Sequence, residues 1–475
     1  MKLFLTIVIY TLIVNSSLIS QVLTFEKHFG YSLRDAGRAV IETKDGNFII
    51  TGNTEIPALG RVDDVLIAKV DGNGDTLWLK AFGGTGFDGG FSIVQTIDRG
   101  FIIAGYVDGN LDSYFIKTDS NGVLQWSKVY SFGGYESAFS VKELTSRDFI
   151  IVGYADSCGV ISKVNLLGDT LWSKKYCNSR TAFGDIQLTA DGNFILGGSL
   201  GNGFYLTKTD TLGEILWAVT DTLYGYAIIR SITEATDGSF LSVGQTRSRL
   251  SGSHWDIMIV KLSSDGNIVW EKTYGDTSIT EDGRTIQQTL DNNYFILANK
   301  DSKVYVLKLN SQGDTLWTRQ YGQPGNAYAT CSSGELTNDG GIIITGTYYP
   351  NAPNQYSDVY LLKIDSSGAV QVEEHFLPRP TKFTLNQNYP NPFNPITVIS
   401  FSLPVTSIAT LKVYNILGQE VATLINNKEL HAGIHEITFD ANKLSSGLYF
   451  YKLTAHQGES STGEFSQVKR MILLK

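Results

Sequence analysis

The chain has 475 residues, 42% of them hydrophobic, which is enough for two or three domains with real cores. A formal net charge of -9 argues against a nucleic acid or an anionic membrane as partner, because both need a basic footprint. Three Cys are too few for a disulfide scaffold of this size, and none has the paired spacing of a zinc site; 48 Gly and 12% aromatics against only three Met point to short strands and tight turns.

Lys2 precedes an apolar run from Leu3 to Val14, and small polar residues follow from Asn15 to Ser20. That run has the length of a signal-peptide core and is too short to span a bilayer, so residues 1–20 read as an export leader cut near Ser20 and Gln21. No later segment is apolar for long enough to cross a membrane, and no span is expected in the mature chain.

From residue 25 to 372 the chain repeats itself. Lys, then Gly five residues on, then Trp four further, recurs at Lys69/Gly74/Trp78, Lys117/Gly122/Trp126, Lys163/Gly168/Trp172, Lys208/Gly213/Trp217, Lys261/Gly266/Trp270 and Lys308/Gly313/Trp317. A seventh copy, Lys363/Gly368, has Val372 in the Trp place. The spacing is in the range of propeller blades. Each unit holds four strand signals; in the second they are Ser92 to Thr96, Phe101 to Gly105, Tyr114 to Thr118 and Val123 to Tyr130. Asp-Gly turns such as Asp45-Gly46 and Asp191-Gly192 separate the first strand from the second. Residues 21–376 are therefore expected to form a seven-bladed β-propeller, in which radial repetition buries both faces of each sheet.

If the third and fourth strands turn at the Gly, each Lys lies across from its Trp, and its stem is expected along the indole. A lysine repeated in every unit is scaffold. Asp71, Asn73 and Asp75 have the alternate spacing of a cation loop. Their counterparts in the third and fourth turns, however, include Leu167 and Leu212, and leucine is no ligand. The side chains at the first turn position are instead expected to bond the local backbone.

Several motif matches are declined. Gly84 to Gly89 fits G-x-G-x-x-G, but a strand rather than a helix follows. Gly197 to Gly201 fits G-x-S-x-G in a blade loop. The six His have no ligand spacing. No metal and no cofactor are expected.

Two weaker signals remain. Asp35, Asp88, Glu136 and Glu281 stand just before the first strand of four units, where loops turn toward a central channel, and could hold a cation or a basic ligand. The bland reading, acceptance of backbone hydrogen bonds, is preferred. Long connections at 53–63, 245–255 and 347–357 lie at one end of the blades. Arg247, Arg249, Trp255, Tyr348, Tyr349 and Tyr356 give that face aromatic and cationic groups suited to a glycan or protein ligand.

Phe25, Lys27 and Phe29 repeat the outer-strand face of Trp78, Lys80 and Phe82, so the N-terminal strand is expected to complete the seventh blade. Cys158 and Cys177 fall opposite one another in the third hairpin, within disulfide reach if the strands stay paired that far, whereas Cys331 is expected to be unpaired. Residues 377–382, with Pro378 and Pro380, read as a linker.

The remainder, 383–475, contains Asn388, Tyr389, Pro390, Asn391, Pro392, Phe393, Asn394 and Pro395 in succession. A strand and turn around Gly418 follow, then Gly447, Leu448 and Tyr449, and a short basic-apolar stretch with Lys469 and Arg470. In this order the pieces resemble the C-terminal sorting domain of the type IX secretion system. The resemblance implies an Ig-like β-sandwich read by an outer-membrane translocon after passage through the general secretion machinery. Strands are expected at 398–403, 410–414, 434–439, 447–453 and 468–474. The fold class is thus all-β, a seven-bladed propeller followed by a small Ig-like sandwich.

The function expected from both ends of the chain is that of an exported protein, secreted or held at the cell surface. Its propeller serves as a non-catalytic binding or adhesion module. The alternatives are a glycan hydrolase or lyase, which would need two carboxylates suitably spaced in the channel mouth, and a purely structural surface protein.

Overall fold

A computed structural model describes residues 22–474 apart from 31–33, 56–62, 85, 108–111, 132–135, 179, 222–225, 248–253, 276–277, 323–326, 351–355, 371–381, 389, 405–406, 431–432 and 457–463. The leader, nearly all of the linker, Arg249 and Tyr389 lie outside the described residues. All regular structure described is β-strand. The chain divides into two compact units, 1–372 and 373–475.

In the first unit, the described residues form seven four-stranded antiparallel sheets. Six are built from consecutive strands, as in Asp35–Glu42, Phe48–Thr54, Asp64–Val70 and Thr76–Phe82. The seventh takes three strands, Tyr328–Leu336, Ile342–Tyr349 and Asp358–Ile364, and is completed by Phe25–Phe29. Phe25 pairs with Lys363 and Phe29 with Val359. The first strand of each sheet packs on the first strands of both neighbours, and that of the seventh packs on Asp35–Glu42, so the succession closes on itself. Apolar residues fill the spaces between successive sheets, as where Ile49, Val65 and Ile67 meet Ile93, Phe101 and Ile103.

The repeated residues are the fasteners of this arrangement. Lys69 does lie across from Trp78, and Lys163 from Trp172. The lysine head groups, however, go elsewhere than the sequence suggests. In all seven sheets the ammonium pairs with an Asp in the turn between the first and second strands, from Lys69–Asp45 to Lys363–Asp339, at 2.6–3.2 Å. The cations that stand over indoles of the repeat lie two residues beyond the Trp: Lys80 over Trp78, Lys272 over Trp270 and Arg319 over Trp317.

Each Trp packs instead on the turn glycine of the next sheet. Gly168 has φ +77, and a Cβ there would come within 2.9 Å of Trp126, so both conformation and space require glycine. Beside it Tyr130 donates to the Gly168 carbonyl and Lys128 pairs with Asp169. Phe25 takes the Trp place against Gly74, with Lys27 on Asp75, so the N-terminal strand fastens the seventh sheet to the first by the same chemistry. The turns need no cation: Asn165 Oδ1 accepts from the Leu167 and Asp169 amides, and Asp210 Oδ1 from those of Leu212 and Glu214.

The second unit pairs a three-stranded sheet, Thr384–Leu385, Ile396–Leu403 and Gly433–Asp440, with a four-stranded one. The latter has the order Glu420–Leu430, Ser407–Asn415, Gly447–His456 and Glu464–Leu473. Between them lie Ile399, Phe401, Leu411, Val413, Phe439, Tyr451, Leu453, Met471 and Leu473. Glu420–Leu430 and Thr384–Leu385 were not among the five strands expected. The former is a sheet-edge strand whose pairing slips register three times, so its sequence carries no clean alternation.

Candidate functional site

The first strand of every sheet carries a β-bulge at the same place, which leaves one residue outside the ladder. The extra residues, in sheet order, are Arg38, Phe91, Phe139, Gly184, Arg230, Arg284 and Ser332. Because the first strands are the mutually packed ones, the bulge side chains of the first three sheets meet one another. Phe91 and Phe139 rings are 5.1 Å apart, and the Arg38 guanidinium stands 6.0 Å from the Phe91 ring. Each is backed by the second strand of its own sheet. Phe91 meets Tyr106 at 5.3 Å and Phe139 meets Tyr154 at 5.7 Å. Arg38 Nε donates to Asn53 at 3.4 Å, and Arg230 Nη2 donates to Gln245 at 3.3 Å. Arg284 holds Asp282, whose other oxygen accepts from Asn299 at 2.9 Å. The scaffold thus repeats while this pair of positions changes chemistry from sheet to sheet, giving an aromatic arc and a cationic one.

Burial, with repulsion from Arg284, pulls the Arg230 pKa down to about 10. Three residues beyond its bulge, Glu335 accepts the Glu42 amide at 2.9 Å across the seam between the seventh and first sheets. Burial pushes its carboxyl up to about 7, against the pull of that amide and of Lys142.

The residues singled out in the sequence fall into separate places. Arg247 stands 5.2 Å over the Trp255 ring, and Trp255 meets Tyr226 edge-on at 5.5 Å, a group on the fifth sheet. On the seventh, Tyr349 stacks on Tyr328 at 4.4 Å. Tyr348 stacks at the same distance on His28, which bonds Asp358. Tyr356 is exposed. These are two clusters at the loop end of two non-adjacent sheets, and burial, with Tyr328 beside it, pushes the Tyr349 hydroxyl above the usual phenol range.

Asp35, Asp88, Glu136 and Glu281 do not open onto a channel: all four are buried. Asp88 accepts the Gly84 amide at 2.7 Å and Glu281 the Lys300 ammonium at 2.8 Å. The main-chain amides of Asp35, Asp88 and Glu281 reach carbonyls of the preceding sheet, at Ser357, Asp63 and Trp255. These three therefore stand in the seams. Cys158 and Cys177 form a disulfide with Cα atoms 4.4 Å apart, and Cys331 is free and buried. Among the described residues no cluster of His, Cys, Asp and Glu is arranged to hold a metal, and no helix is long and apolar enough to cross a membrane.

In the second unit the 388–395 segment ties the domain's ends together. The Asn388 amide donates to the Tyr451 hydroxyl, and its side chain spans Pro390 O and Thr397 Oγ1. Buried Phe393 exchanges backbone hydrogen bonds with Ile472 and Leu474, while Asn391 Oδ1 accepts the Ile472 amide. Pro392 and Asn394 are exposed on either side of it, and the Pro395 carbonyl takes the Ala441 amide. Gly418, at φ +77, completes the turn capped by Asn415. Gly447 and Tyr449 pair with Leu473 and Met471, and Lys469 and Arg470 with Tyr451 and Phe450.

Residues 387–465 belong to the family described as the secretion system C-terminal sorting domain. The chain therefore carries a signal for type IX secretion and is delivered to the cell surface or beyond it. Ahead of it stand repeated four-stranded sheets of propeller kind.

No curated protein sequence matches the chain. Similar solved structures include a catalytically inactive virginiamycin B lyase from Staphylococcus aureus with quinupristin, at 12% identity over 71% of this chain and 99% of that one, TM-score 0.47. The WD40 domain of Neurospora crassa Pan2 is similar at 10% identity over 69% and 88%, TM-score 0.46. A protein of unknown function from Bacteroides caccae is similar at 14% over 54% and 90%, TM-score 0.39.

Proposed function

We propose that this chain is an exported, non-catalytic binding module: a seven-bladed β-propeller that holds a ligand at the mouth of its ring, followed by an Ig-like sandwich that gets it exported. In this reading residues 1–20 are the leader, 21–376 the propeller, 377–382 the linker and 383–475 the sorting module. Support for seven blades comes from the seven sheets whose first strands close on themselves and from Phe25–Phe29 completing the last. Two facing sheets around one core support the sandwich.

The observation that carries the binding reading is the variation at the bulges. A residue needed only for closure would repeat, as the Lys, Gly and Trp do, whereas Arg38, Phe91, Phe139, Arg230 and Arg284 differ over a constant frame. Aromatic faces and guanidinium forks are the groups that dominate recognition surfaces.

The test is a glycan and polypeptide array probed with the full chain, with a degradation screen on every glycan bound. Retention lost in a Phe91→Ala, Phe139→Ala double variant, with no product released, is the expected result. Product release would establish the enzyme instead, and retention unaffected by the double variant would move the site elsewhere.

A further inference from the structure

The reading of the ring mouth as a binding site leaves the ligand's chemistry open, and the cationic arc narrows it. Arg230 and Arg284 occupy the same bulge on adjacent sheets. Among the described residues they have one carboxylate, Asp282, bound to Arg284 and already shared with Asn299. Among the described residues Arg230 has a single long bond, to the neutral Gln245, and the Nε atoms of both arginines are buried without an acceptor. Two partly buried guanidinium groups thus stand on packed neighbouring strands, near enough for Arg284 to repel Arg230, each with a buried Nε unfilled among the described residues and with one carboxylate there between two positive charges. That arrangement is costly unless a further anion joins it.

We propose that the Arg230–Arg284 pair is the seat for an anionic group, a carboxylate or sulfate ester, of an acidic glycan bound across the ring mouth. This rests on the binding reading above. A planar anion accepts two parallel hydrogen bonds from a guanidinium fork, and the two arginines hold equivalent bulge positions on adjacent sheets. The rest of the ring favours a sugar chain as carrier. Phe91 and Phe139 set two ring faces side by side, and Asn53 and Gln245 add amides beside the arginines. Apolar faces ringed by amides match a pyranose, which has a CH face and a hydroxyl rim. Gly184 and Ser332, the small members, separate the aromatic arc from the cationic one.

The experiment uses the full chain and titration calorimetry at low salt. The probes are oligogalacturonate, the same oligomer with its carboxyl groups reduced to alcohols, a sulfated dextran oligomer, its unsulfated parent, and poly-glutamate. An acidic oligomer is expected to bind at least about tenfold more tightly than its neutral counterpart. Arg230→Gln and Arg284→Gln should each erase that difference, while Phe91→Ala weakens acidic and neutral oligomers alike. Which acidic oligomer binds tells carboxylate from sulfate.

Thermal melting of Arg230→Gln should be unchanged or higher, since it removes a buried charge, so lost binding is not lost fold. The proposal is overturned if acidic and neutral oligomers bind equally, if Arg230→Gln binds as the parent does, if no acidic oligomer binds, or if poly-glutamate alone shows the arginine dependence. A neutral oligomer held through Phe91 and indifferent to Arg230 would sink the anion seat and leave the binding module standing. A chain that binds none of the probes, and nothing on the array, loses both.

Discussion

Glu335 gives the propeller a pH dependence that can be worked out in advance. Its carboxyl is pushed from 4.5 to about 7, chiefly by burial, with Glu42 adding to the shift and the Glu42 amide and Lys142 opposing it. Between those two pH values the folded chain holds a proton that the unfolded chain has released. Folding is therefore favoured by this group fully below about pH 4.5, and the favour is lost as pH rises through 7. A shift from 4.5 to about 7 corresponds to about 3 kcal/mol at most. Urea unfolding from pH 5 to 8.5 should show the parent losing up to that amount relative to Glu335→Gln, whose amide oxygen can still accept from Glu42 but does not titrate. The two stabilities should converge at pH 5 and part at pH 8.5, with the variant the more stable. Parallel curves across the whole range would refute the account, because they would mean that Glu335 titrates alike in the folded and unfolded chain.

Reducing Cys158–Cys177, which closes a loop of 19 residues, should cost about 3 kcal/mol, read as a shift of the urea midpoint with and without reductant. Asp98→Ala strands Lys117, whose side chain is only 1% exposed, and should cost about 2 kcal/mol in the same assay, while Lys117→Met should cost less because no charge is left behind. Deleting 469–475 removes Met471 and Leu473 from the sorting-domain core. In a host with type IX secretion, cell fractionation should then find a folded propeller held in the periplasm; surface delivery unchanged by the deletion would contradict the sorting role.

Much of this was legible because repetition multiplies weak signals. One Lys-Gly-Trp spacing means little, but six copies set the register of every outer hairpin, and the structure pairs Lys117 with Trp126 as that register requires. The lysine's true partner was written in the same repeat, at Asp45, Asp98 and Asp191, but a turn Asp explains itself locally, so nothing called for a distant cation. The ring of bulge residues was harder to see. A bulge shifts the two-residue alternation by one, so Arg38 between Gly37 and Ala39 reads as an ordinary outward residue. The available clue was a comparison across the seven units, where one column runs from arginine to phenylalanine to glycine beside columns of small and apolar residues. In the sorting domain, Asn427 takes positive φ within a sheet-edge strand, Glu420–Leu430, that was not among those expected.

The way the propeller is fastened shut also determines how it responds to being pulled. Phe25 lies against Lys363 and Phe29 against Val359, so the chain enters and leaves the closing pair at the same end. Tension between an anchored N-terminal side and the sorting-domain side loads that pair as a zipper, one rung at a time from Phe25, rather than in shear along all five rungs at once. A fold closed by seven interlocked seams is thus expected to open at low force inside its seventh sheet, where Phe25–Phe29 pairs with Asp358–Ile364. A cell that holds or threads the protein by both ends would find it mechanically soft there.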